Sequence, residues 1–96
     1  MMARSEDRMN HHSRKILHAI FAHPVSANLD PRAVLHVFEE LGAEVSRGGH
    51  GQVKISFAGR TRGFPEVRHS LPKDEVLEMR RLLQDGGVDP GRDYPL

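Results

Sequence analysis

From His50 to Ala58 the chain alternates in polarity residue by residue, and this limits the fold more than any other feature. Val53, Ile55 and Phe57 fall on one side, Gln52, Lys54 and Ser56 on the other. Such period-two patterning belongs to an antiparallel strand with one face buried and one wet. A sheet built on that strand needs cover on its apolar side only. With 96 residues available, that cover comes from a single small domain with a thin core.

Two amphipathic helices are predicted to supply it. Asp30 is a good N-cap, Pro31 suits the first helical position, and Gly42 provides the stop. Between them Val34, Val37, Phe38 and Leu41 recur at helical spacing and form one apolar stripe. A second helix starts near Pro72, carries Val76, Met79, Leu82 and Leu83 on one face, and ends at Gly86-Gly87. A short first strand is expected over Ala43–Ser46, closed by Gly48-Gly49. Ala58-Gly59-Arg60 turns the chain, and a third strand falls within Gly63–His69, at an edge because Pro65 cannot donate to a ladder. The order is helix, three strands, helix, an α+β fold with both helices on one face of a three-stranded antiparallel sheet. Continuing the alternation backward puts His50 with Lys54 on the open face, although the two glycines can shift that register.

The domain occupies residues 30–88. Residues 1–14 are polar and aperiodic and read as disordered. Residues 15–29 form an extension whose apolar piece, Ile16–Ala22, stops at His23-Pro24. Its conformation is undetermined by its pattern. Residues 89–96 read as a tail. There is no cysteine, and hence no disulfide framework or thiolate metal site. No apolar run approaches the roughly eighteen residues a transmembrane helix needs. The charged start lacks the apolar middle of a signal peptide. A cytoplasmic protein without membrane contact is expected.

Net charge is only +1, but its distribution is uneven. From Arg47 to Lys73 six cations stand against Glu66 alone, a local balance of +5. Segregation of this kind steers polyanions to one region, while exposed Lys and Arg on a solvated sheet give the same count with no partner at all. Within this region His50 sits in Arg47-Gly48-Gly49-His50-Gly51. Flanking glycines let an imidazole approach a substrate backbone unobstructed, and imidazole exchanges protons near neutral pH. Phosphodiester chemistry or phosphate binding follows as one reading of His50. A surface histidine after a glycine turn is the other.

The run Leu41-Gly42-Ala43-Glu44-Val45, then Gly49-His50, an alternating strand, a turn, a strand ending near His69 and a closing helix with a terminal Gly-Val resembles the HicA family. These are small toxins of bacterial toxin–antitoxin pairs. The resemblance covers roughly residues 30 to 88. It implies a fold like that of double-stranded-RNA-binding domains (α-β-β-β-α), cleavage of messenger RNA, and inhibition by a HicB-like antitoxin protein. The family's implicated histidine falls on His50 and the preceding glycine on Gly48, with Gly49 where serine is usual. Pro65 and Glu66 interrupt the basic, valine-rich strand usual before the last helix. Ile16 to Asn28 looks like the extension of a divergent subgroup.

A ribonuclease of this kind needs a base for the 2′-hydroxyl proton, an acid for the leaving 5′-oxygen, and cations for the charged transition state. His50 is the expected acid or base, a role worth about 10²- to 10⁴-fold. Lys54 is expected to hold phosphate, with Arg47, Arg60 and Arg62 extending the RNA-binding track. The chemistry requires no metal or other cofactor. His69 is a secondary candidate, read also as a locally bonded helix-entry residue. His11, His12, His18 and His23 do not set up one ligating face, and His36 lies beside the apolar stripe. With four phenylalanines and one tyrosine, stacking platforms are scarce, which favours recognition by shape and backbone. The alternatives are an RNA-binding module of the same fold that has lost catalysis, and a protein-interaction domain using the sheet face or edge.

Overall fold

The structure, a computed structural model, describes residues 9–96. Helices α1 (His11–Ile20) and α2 (Pro31–Glu40) lead into strands β1 (Glu44–Arg47), β2 (Gln52–Phe57) and β3 (Arg60–Pro65). Helix α3 (Lys73–Asp85) and the single turn α4 (Pro90–Asp93) follow. The strands form one antiparallel sheet in the order β1-β2-β3. No described helix is long and apolar enough to cross a membrane.

Helix α2 is built as its sequence predicts. The Asp30 carboxylate accepts from the Arg32 N–H at 3.0 Å, Pro31 opens the helix, and Val34, Val37 and Phe38 are buried. Helix α1 departs from expectation, because its first turn lies in the segment read as disordered. Asn10 caps it, accepting from the Ser13 N–H at 2.8 Å, and Ser13, Leu17 and Ile20 face the core. The small, polar Ser13 occupies the buried stripe where an apolar residue would have announced the helix. The disorder expected of residues 1–8 lies outside the described residues. The tail also holds more order than expected: Asp89 caps α4, and the His18 ring nitrogen Nε2 lies 2.8 Å from the Tyr94 carbonyl oxygen.

Strand β3 begins three residues earlier than predicted and pairs regularly, Phe57 with Arg60 through to Gln52 with Pro65. Pro65 ends it, on an edge, where a missing donor is harmless. Ala58 (φ 53°) and Gly59 (φ 81°) make the two-residue turn, positive φ at both positions matching the strand twist. Glu44, Ser46, Gln52, Lys54 and Thr61 are exposed on one face. Val53, Ile55 and Phe64 on the other join Leu17, Val34, Phe38, Val76, Met79 and Leu83 in one core. Helices α2 and α3 pack on that face, α1 packs across both helices and shares their core, and the opposite face is bare among the described residues.

Buried Arg80 fastens α1 to α3. Its guanidinium donates to the carbonyl oxygens of Ile20 at 2.8 Å and Ala22 at 2.7 Å, satisfying the C-terminal end of α1. Beyond α3, Gly86 packs against the ring of Phe57, with no room there for a side chain.

Candidate functional site

The β1–β2 hairpin closes through the Gly48 N–H, which donates to the Gln52 carbonyl oxygen at 2.9 Å. Three residues, Gly49, His50 and Gly51, make the loop. His50 (φ 67°) and Gly51 (φ 68°) both adopt the left-handed conformation, which a side-chain-bearing residue takes up at some cost. This corrects the expected register. Because β2 starts only at Gln52, His50 belongs to the turn, and strand alternation does not assign it to the open face. The imidazole is exposed at the tip.

Strand pairing sets the charged surroundings. The Glu66 N–H donates to the Gly51 carbonyl oxygen at 2.7 Å, extending the β2–β3 ladder into the hairpin loop. Across the sheet, Arg47 Nη1 donates to Glu66 Oε2 at 2.5 Å. Arg47 and Glu66 therefore stand at the same end of the sheet as His50.

The other expected cations are dispersed. Arg62 pairs in register with buried Ile55, so it points to the helix side, where its guanidinium donates to Glu78 of α3. Arg60 pairs with Phe57 at the far end of β2, five residue steps from Gln52, or about 17 Å. Lys54 is exposed on the bare face, opposite Ser46 and Gly63. Alternation therefore separates Lys54 from Arg47, Arg60 and Arg62, and these four do not form a continuous phosphate track. His69, the secondary candidate read also as a locally bonded helix-entry residue, is exposed in the segment between β3 and α3.

A pocket of about 420 Å³ opens on the helix side of the same sheet end. Buried Val53, Phe64, Leu71 and Met79 lie deep in its wall, with half-buried Leu35 of α2 beside them. Exposed Arg32, Arg47, Arg68 and Glu66 rim it. The loop that carries Arg68 is held in place by the Leu71 N–H, which donates to the Leu29 carbonyl oxygen at 3.0 Å. No local pattern signals this pocket. Its wall is drawn from α2, all three strands, the β3–α3 loop and α3, and Arg32 falls on the ordinary polar side of an amphipathic helix. Among the described residues, no group of three His, Asp or Glu side chains is placed to hold a metal ion.

Comparison with protein-family models, curated proteins and solved structures gives no match for this chain.

Proposed function

We propose that the chain acts on RNA at the hairpin end of its sheet, as a metal-independent ribonuclease of the HicA toxin type. The observation that carries this reading is the display of His50. An exposed imidazole stands at the tip of a glycine-flanked loop in a left-handed conformation, at the same end of the sheet as the cation Arg47. The α2-β1-β2-β3-α3 order is also the one that a double-stranded-RNA-binding type of domain requires. In this mechanism His50 takes the proton of a ribose 2′-hydroxyl as that oxygen attacks the adjacent phosphorus. The bond from phosphorus to the 5′-oxygen breaks, and the imidazolium returns the proton to the departing oxygen. Arg47, in exchanging Glu66 for phosphate, offsets the charge gathering on the transition state. A HicB-like antitoxin is the protein partner implied.

A second reading is RNA binding without cleavage. It is favoured by the engagement of Arg47 and Arg62 with Glu66 and Glu78 and by Gly49, which brings no hydroxyl to orient the imidazole. Incubating a defined RNA with the protein in the presence of a chelator separates the two. Cleavage that disappears in His50→Asn supports the first reading. Salt-dependent binding with no cleavage supports the second. Neither binding nor cleavage would overturn both.

A further inference from the structure

We infer that the pocket between α2 and the hairpin end of the sheet receives a single unstacked nucleotide. This rests on the RNA-directed reading above and names the form of substrate it takes: a strand with one base splayed out, free of duplex stacking. The pocket falls within the size range of ligand sites, about 300 to 1,000 Å³. Its deep wall is apolar, formed by Val53, Phe64 and Met79 with Leu35 beside them, and suits the faces of a base more than a hydrated ion.

The rim decides the class of ligand. Three arginines, Arg32, Arg47 and Arg68, share the rim with one carboxylate, Glu66, which Arg47 contacts. Oε2 of Glu66 accepts from Arg47, while Oε1 accepts no hydrogen bond from the described residues. A fatty or aryl acid would satisfy the arginines but set its carboxylate near that of Glu66 and give it no donor. A nucleotide supplies both halves of the match. Its phosphate meets Arg32 and Arg68, and the N–H edge of its base donates to Glu66. The pocket also adjoins the proton-transfer candidate, since Arg47 precedes His50 by three residues and the Glu66 N–H holds Gly51. A strand with one nucleotide seated here passes its neighbouring phosphate toward the loop.

The test is a titration of the full chain followed by amide NMR, with guanosine 5′-monophosphate as probe and inorganic phosphate as control. Saturable shifts are expected at residues 32–35 and 64–68 with the nucleotide, and weaker binding with phosphate alone. Arg32→Gln and Arg68→Gln are each expected to weaken nucleotide binding about tenfold. Both residues are exposed, so these variants keep the test independent of folding. Leu35→Trp, which fills the pocket, is expected to abolish binding. No shifts in these segments, or equal binding by wild type and all three variants, would overturn the inference. A short single-stranded RNA separates this outcome from the fate of the function itself. If the RNA is cut or bound equally well by wild type and Leu35→Trp, the pocket inference fails and the RNA reading stands. If the mononucleotide binds as expected and the RNA is neither bound nor cut, the pocket stands as a site for free nucleotides and the RNA reading fails.

Discussion

Arg47 and Glu66 meet at 2.5 Å across the sheet, joining the end of β1 to the residue just after β3 while β2 runs between them. A guanidinium that the sequence assigns to phosphate is therefore held by a carboxylate in the free protein. Anything that binds through Arg47 must first displace Glu66.

Glu66→Gln is accordingly expected to tighten RNA binding at low salt, the glutamine carbonyl oxygen still accepting from a base. It removes one negative charge and releases one phosphate contact, so the slope of log affinity against log salt steepens by about one. Fluorescence anisotropy of a labelled RNA over a salt series reads both quantities. An unchanged slope would place Arg47 outside the interface.

Arg80→Met should cost about 3 kcal/mol of stability, because two carbonyl oxygens at the end of α1 lose charged donors at once. The loss should be local before it is global. Amide hydrogen exchange is expected to accelerate in α1 while β2 stays protected, and uniform acceleration would deny Arg80 its role as the fastener of α1.

A β-carbon at position 86 would collide with the ring of Phe57, its Cδ2 only 2.7 Å away. Gly86→Ala is expected to cost about 1 to 3 kcal/mol through overpacking. Phe57→Leu in the same chain should recover part of that loss, a coupling that thermal unfolding of the four chains in a double-mutant cycle measures. Additive losses would mean that α3 and the sheet do not meet there.

Glu75 gives the stability a pH dependence. Burial first, and the charge of Asp74 second, push its carboxyl above the usual value, and its Oε2 is sealed from solvent without a hydrogen-bond partner. The folded chain holds this proton more tightly than the unfolded one. The resulting contribution is complete below the unfolded value and is lost as pH rises through the raised folded value. Glu75→Gln never ionises, so its stability should gain on wild type as pH rises from the ordinary carboxylate range toward neutrality. Melting temperatures of both proteins across that range provide the check, and a constant difference would contradict it.

Much of the fold was legible because patterning and capping agree. Asp30, Pro31 and the Val34–Phe38 stripe announce α2 together, and the alternation of Val53 and Ile55 announces β2. Helix α1 was not, since Ser13 breaks its stripe and its cap, Asn10, stands in a polar segment. The site was legible only in part. His50 is conspicuous among glycines, but its place in a left-handed turn, the separation of Lys54 from the arginines and the carboxylate partners of Arg47 and Arg62 all depend on strand register. The pocket depends on elements more than forty positions apart, from Arg32 to Met79, and no window of sequence contains it.

The most direct test of the central claim is the single-turnover rate of cleavage of a defined RNA, in chelator, by wild type and His50→Asn. Asparagine tolerates the left-handed backbone at this position, so the turn is kept while the proton-transfer group is lost. The rate should fall by about 10²-fold or more with RNA affinity held within about twofold. Equal rates in the two proteins, or no cleavage by either, would contradict the assignment of His50.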